Sequence, residues 1–334
     1  MAGERGYKNL NTSVLRQISK VLEQDSEADI ESVLHKFSAS YAALRRAVHE
    51  RQVKRTAVQD TLKLREEHES ELSSAIVRRV LSGTVIWAQR SRAVIQVGEN
   101  VAVKVTDDLN HDEYDVLQYL EQHIPSIPAP RPLGLINIGP ISLMFMTIIP
   151  GDTLETRWQS LSVEAKGRIR RILDDHLATL RRLSLPPGST FGTPSGRHLC
   201  KDVRRDERLS ASSIYSESQF NDFLLDAPGS RAAPSYKHWL RSMLRTDHRI
   251  LFTHADFHPR NIMVVIEADG TVELSGILDW EASGFYPEYW EQLKSLNTRS
   301  VKDTSDWWDY LPPSILGYDQ EVMLDRVIET TVVY

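Results

Sequence analysis

The sequence predicts an α+β fold of two lobes, a small β-rich one followed by a mainly helical one, with a helical extension in front. Three observations carry this. Short apolar runs of strand character recur through 85–149. After Gly151 apolar residues recur at helical spacing. Further on, polar side chains stand at the ends of two short apolar runs, in His254–Asn261 and at Asp279. The expected divisions are 1–75, 76–149 and 150–334.

Composition narrows the function. The formal net charge of −6 argues against nucleic acid as a partner and is compatible with a cationic substrate. Cys200 is the only cysteine, so no intramolecular disulfide or thiolate zinc site can form. The longest mostly apolar stretch, Ile141 to Ile149, is too short to span a bilayer. The N-terminus shows no apolar signal core. The expected compartment is cytoplasmic, with no membrane partner.

In the extension, Ser26 and Asp29 form a capping-box pattern. Ile30, Leu34, Phe37, Tyr41, Leu44 and Val48 then recur at steps of four and three, one apolar stripe on a helix. Two readings stand: a helix packed on the body, or a coiled-coil arm that joins a homodimer.

From Arg79 the period changes to strands. Val85–Trp87, Ala93–Val97 and Val101–Val105 are β-rich, with Gly98-Glu99-Asn100 as the turn between the last two. A helix from Asp107 or Asp108 to His123 stops at Pro125. Leu133–Ile136 and Ile141–Ile149 follow as strands, and Pro150-Gly151 ends the second. Ser162 caps a helix that runs to Leu183, closed by Pro186-Pro187-Gly188. Residues 186–235 are rich in Ser, Pro, Gly and charge and carry no clear period; a helix is expected over Tyr236–Leu244. Ile262–Ile266 and Ile277-Leu278 are buried strands joined through Asp269-Gly270, a strong hairpin signal.

The spacing of Asp256, Asn261 and Asp279 is that of a phosphoryl-transfer site. Such a site uses one aspartate to orient the attacking hydroxyl. An asparagine five residues on and a second aspartate at a later strand end hold Mg²⁺. The same template places a lysine inside a strand to meet the α and β phosphates, and Lys104 alternates with apolar neighbours in V-A-V-K-V. Its expected acidic partner is Glu113, which shares a helix face with Leu117 and Leu120; Asp112 and Asp115 are the alternatives and lie off that face.

The strings T-H-A-D-F-H-P-R-N-I-M-V and G-I-L-D-W-E-A-S-G-F-Y-P-E-Y-W-E resemble the aminoglycoside phosphotransferase (choline kinase-like) superfamily, in particular its fungal branch. The resemblance spans roughly 79 to 300 and is weak through 186–247. It implies a protein-kinase-like bilobal fold, with ATP and Mg²⁺ as cofactors and transfer to a small-molecule hydroxyl acceptor. It also selects Glu113, four residues before a leucine. Glycine-poor phosphate loops occur in this family, and Ser91 is the expected phosphate contact. By analogy with the family's hinge, Met146, Thr147 and Ile148 offer backbone hydrogen bonds to adenine, with Met144 as a wall. His254 is expected to organise the loop, and His258 and Arg260 to line the site. Residues 186–245 and Trp290, Trp307, Trp308 and Tyr310 are expected near the acceptor; the aromatics can form a cage for an alkylammonium group, and the commoner alternative for them is core packing.

Two rival functions stand against this reading. The His254 and His258 imidazoles around Asp256 suggest metal hydrolysis, but no H-E-x-x-H or second histidine cluster completes a ligand set. A catalytically inactive kinase-like binding or scaffold protein is suggested by the N-terminal arm and the glycine-poor loop. The intact set Lys104, Asp256, Asn261 and Asp279 argues against that.

Overall fold

The computed structural model describes residues 20, 71–89, 92–107, 109, 111–194, 199–204 and 207–333. The expected capping box and apolar stripe of the extension, with its homodimer reading, lie outside these residues, and so does Ser91. The chain forms two compact units. One comprises Met1–Leu109 and Ile136–Met144; the other comprises Asn110–Leu135 and Phe145–Tyr334. Among the described residues no helix is long and apolar enough to cross a membrane.

In the first unit, helix α1 (Glu71–Leu81) leads through Ser82-Gly83 into strand β1 (Thr84–Gln89). Gly83 is required there, because a Cβ would stand 2.5 Å from the Gln96 carbonyl oxygen. Strands β1, β2 (Arg92–Gln96) and β3 (Val101–Thr106) are antiparallel, with a bulge between Val85 and Trp87. They belong to a five-stranded sheet ordered β1-β2-β3-β5-β4, where β4 is Pro132–Ile138 and β5 is Ile141–Thr147. Strand β3 is buried on both faces, with Val103 and Val105 on one and Ala102 and Lys104 on the other. The β-rich expectation for this stretch is met strand by strand.

The second unit is mainly helical. Helix α2 (Asp112–His123) begins several residues later than the sequence suggested, after His111 as N-cap. Strand β6 (Asp152–Thr153) runs into the single turn α3 (Leu154–Arg157). Gly151 before it has φ +104, and a Cβ there would collide with the Val264 carbonyl at 2.1 Å. Helix α4 (Val163–Leu180) is capped as expected, Ser162 accepting the Ala165 N–H at 3.2 Å. Its apolar stripe Ile169, Leu173, Leu177 and Leu180 is buried.

The stretch with no readable period contains a hairpin, β7 (Lys201–Val203) with β8 (Glu207–Leu209), and helix α5 (Glu217–Leu225), capped by Ser216. The hairpin is held by charge. Asp202 is fully buried and meets Lys294 at 2.5 Å and Arg204 and Arg208 each at 2.9 Å, while Arg204 also meets Asp325 at 2.5 Å. Burial by itself would raise the Asp202 carboxyl; Lys294, Arg204 and Arg208 outweigh burial and hold it below the ordinary range.

Helix α6 (Pro234–Met243) precedes the strands that frame the loops of interest. Strand β9 (Ile250–Thr253) pairs antiparallel with β12 (Gly284–Pro287). Strand β10 (Ile262–Ile266) pairs with β11 (Val272–Ile277) through the expected Asp-Gly turn, Gly270 having φ +83. Helices α7 (Trp290–Leu296) and α8 (Asp319–Ile328) complete the unit. Aromatic side chains make much of its core: Phe220 packs edge-on to Trp290 at 5.0 Å, and Tyr286 stacks on Trp290 at 5.7 Å.

Candidate active site

Two adjacent loops carry the polar residues. The first leaves β9 at His254 and enters β10 through a 3-10 turn at Pro259–Asn261. The second is the end of β11 at Leu278 to Glu281. The hairpin between them sets their spacing: Ile262 pairs with Ile277, and the Leu278 N–H donates to the Asn261 carbonyl at 2.7 Å. Asn261 and Asp279 therefore sit on neighbouring strand ends.

Both loops contain a residue with left-handed backbone. Ala255 has φ 63 and Asp279 has φ 64, and they are the only non-glycine residues with positive φ among those described. Each costs about 1–2 kcal/mol for a residue with a Cβ, so the surroundings must hold them. Glu291, fully buried in the first turn of α7, does this for the first loop: its carboxylate accepts the His254 N–H at 2.6 Å and the Ala255 N–H at 3.1 Å. Burial pushes the Glu291 carboxyl above its ordinary range. Sequence reasoning missed this residue. Its signal was an acid beside Trp290 and Leu293, on a helix segment that is otherwise core.

His254 ties the two loops together. Its Nδ1 accepts the Asp256 N–H at 3.2 Å, so the proton sits on Nε2, which donates to the Leu278 carbonyl at 3.0 Å. The ring is fully buried and packs edge-on against Trp280 at 4.6 Å. The expected role as loop organiser matches these contacts.

Asp256 is reached by two neighbours. Arg260 Nη2 lies 2.7 Å from Oδ1 and 3.0 Å from Oδ2, and Asn261 Nδ2 lies 2.7 Å from Oδ2 and 2.9 Å from the Asp256 carbonyl. The Asn261 nitrogen is thus committed to Asp256. His258 is buried; its Nε2 contacts Thr298 Oγ1 and its ring meets Trp308 edge-on at 5.2 Å. Burial lowers its pKa to about 4, with the Arg260 charge adding to the shift, so the ring is neutral at pH 7.

Around Asp279 three carboxylates converge. Oxygens of Glu113, Asp279 and Glu281 lie within 4.8 Å of one another. Glu113 stands on the buried face of α2 with Leu117 and Leu120, as expected, and its Oε1 accepts the Trp280 N–H at 3.3 Å. Asp112 was expected off that face, yet it is buried too, because Lys201 of β7 pairs with it at 2.8 Å. Lys201 also donates to the Glu281 carbonyl at 3.0 Å. This all-oxygen donor set suits a hard divalent cation such as Mg²⁺.

Lys104 lies on β3 in the first unit, with 9% of its surface exposed. At the expected hinge the Thr147 N–H is taken by the Arg131 carbonyl at 3.0 Å, which removes Thr147 as a donor. Trp290 and Trp307 are core residues, and internal cations face two of the four aromatics, Trp290 and Tyr310. Lys294 stands 4.5 Å from the Trp290 ring, and Lys166 stands 4.9 Å from Trp158 and 5.9 Å from Tyr310, fixed by Asp306.

The model of the phosphotransferase enzyme family (APH) matches residues 85–306, about two thirds of the chain. No curated protein sequence matches. Solved structures with a similar fold include a gentamicin complex of APH(2")-IIa, at 12% identity and TM-score 0.48 over 78% of this chain and 85% of that one. Aminoglycoside-3'-phosphotransferase of type VIII is similar at 14% identity and TM-score 0.47, over 74% and 92%. Aminoglycoside phosphotransferase APH(4)-Ia is similar at 14% and 0.45, over 65% and 73%.

Proposed function

Since this chain belongs to the phosphotransferase enzyme family, with the kinase-like α+β fold expected of it, we propose that it moves the γ-phosphoryl group of ATP to a hydroxyl of a small molecule. The observation that carries the proposal is the pair of hydrogen-bonded loops that hold Asp256, Asn261 and Asp279 on adjoining strand ends. In this reading Asp256 orients the acceptor hydroxyl and takes its proton. The acceptor oxygen then forms its bond to phosphorus as the bond to the β-phosphate oxygen breaks, and ADP leaves. Asn261, through Oδ1, and Asp279 would hold Mg²⁺, which offsets the charge of the transferring group. Lys104 would meet the α and β phosphates. Ser91 would contact phosphate, and Met146 and Ile148 would meet the adenine edge. Arg260 is 41% exposed and covers Asp256 here. In this mechanism it releases Asp256 when a hydroxyl approaches.

The second reading is an inactive kinase-like binding protein. The observation in its favour is that both Asp256 oxygens are already engaged by Arg260 and Asn261. ADP release with ATP and Mg²⁺ across a panel of amines, sugars and alcohols separates the two. Turnover that disappears in Asp256→Ala supports the enzyme. Turnover that survives this change removes Asp256 from its role, and nucleotide binding with no turnover on any acceptor favours the binding protein.

A further inference from the structure

The two oxygens of Asp256 are held differently. Asn261 Nδ2 donates to Oδ2 at 2.7 Å and to the Asp256 carbonyl at 2.9 Å, so Oδ2 keeps an amide partner whatever Arg260 does. Among the described residues Oδ1 is covered by Arg260 alone, through Nη2 at 2.7 Å. The pair is partly open, with Arg260 41% and Asp256 23% exposed, and exposed ion pairs of this kind are weak. An incoming hydroxyl can therefore take the place of the guanidinium on Oδ1 while Asn261 keeps the carboxylate where it is.

The displaced guanidinium stays nearby. Its backbone lies in the 3-10 turn Pro259–Asn261, and Asn261 is fixed by its bonds to Asp256 and by the Leu278 N–H on its carbonyl at 2.7 Å. Only Nη2 is engaged: among the described residues Nε and Nη1 have no acceptor. A guanidinium fork of this kind matches the oxygens of a carboxylate or phosphate. Asp256 also loses its charge once it takes the hydroxyl proton, and the guanidinium beside it then lacks a counter-charge. An acceptor that brings its own anion supplies one. An acceptor ammonium in the same place would instead meet the guanidinium at close range.

We propose that Arg260 is a specificity-determining residue that selects an acceptor carrying an anionic oxygen group, a carboxylate or a phosphate, close to its hydroxyl. The anion draws the guanidinium off Oδ1 as the hydroxyl arrives. The transfer balances as before: the hydroxyl proton goes to Asp256, the hydroxyl oxygen bonds to the γ-phosphorus, and ADP leaves. The inference rests on reading Asp256 as the group that orients the acceptor.

The test is ADP release by the full chain, with ATP and Mg²⁺, on matched acceptors. Glycerol, glycerate, glycerol phosphate and serinol form one set, and glucose, gluconate and glucosamine form another. Within each set wild type should favour the anionic members over the neutral one by about ten- to hundred-fold in kcat/KM, the worth of a hydrogen bond between charged groups, and should use the cationic member least. Glycerate against glycerol phosphate separates carboxylate from phosphate. Arg260→Gln should abolish the preference, mainly through KM of the anionic acceptor, and Arg260→Lys should restore part of it. Neutral or cationic members used as well as the anionic ones by the unaltered chain overturn this inference and leave the proposed function standing, and that readout needs no variant. A loss in Arg260→Gln that is equal on all acceptors, or that falls on KM of ATP, places the guanidinium on the nucleotide phosphates and overturns the inference too. Turnover on no acceptor, in these sets or in the wider panel, overturns the proposed function and this inference together.

Discussion

The carboxylate of Glu291 holds the left-handed backbone of Ala255, accepting its N–H at 3.1 Å from a fully buried position. The residue after Ala255 is Asp256, so a core helix dictates where the proposed catalytic carboxylate begins. Glu291→Gln keeps the volume but turns an NH₂ toward one of two N–H donors. With hydrogen bonds to a charged acceptor worth about 1.5–3 kcal/mol each, the variant should lose about 3 kcal/mol of stability in urea. Its transfer rate should fall by more than its nucleotide affinity. A variant as stable and as fast as the parent would remove Glu291 from this role.

Asp256→Ala should retain nucleotide binding and lose about 10²–10⁴-fold in transfer rate, the usual cost of removing a positioned acid–base group. Asp279→Asn should be at least as damaging to rate and should weaken Mg²⁺-dependent nucleotide binding as well. Equal Mg²⁺ dependence of nucleotide binding in Asp279→Asn and wild type would contradict the assignment of Asp279 as a metal ligand.

His258 makes stability depend on pH. The unfolded chain binds its proton below about 6.5, whereas the folded chain binds it only near 4. Between those values the unfolded state holds more protons, so stability falls as pH falls, by on the order of 3 kcal/mol in all. Denaturation of wild type and His258→Asn from pH 7 to pH 4 checks this. The variant should show a shallower decline, and parallel curves would refute the account.

The Asp202 network should respond to a single change more than to a paired one. Asp202→Asn leaves Lys294, Arg204 and Arg208 around an uncharged amide and should cost about 3–5 kcal/mol. Adding Lys294→Met should recover part of that loss, and a double-mutant cycle from urea unfolding gives the coupling. Strict additivity would show that Lys294 and Asp202 do not act as a unit.

Local chemistry made much of this protein legible from its sequence. Strands β1–β3 and β10 follow β-rich or apolar runs, the Asp-Gly turn has positive φ at its glycine, and Ser162 caps α4, while β11 (Val272–Ile277) extends well before the Ile277-Leu278 run. Each of these depends on residues a few positions apart. The 186–235 stretch was opaque because its hairpin is stabilised by Lys294 and Asp325, about ninety and more than a hundred and twenty residues away, rather than by an apolar period of its own.

The spacing of Asp256, Asn261 and Asp279 was written in the chain, because a short turn and a hairpin carry it. Only the tertiary structure decided what holds them. Glu291 reaches Ala255 across 36 residues, Trp280 reaches Glu113 across 167, and Lys201 reaches Glu281 across 80. A buried charge has no preferred partner in sequence. Packing brings its counter-charges and backbone donors into reach, and the high cost of leaving it unpaired selects them.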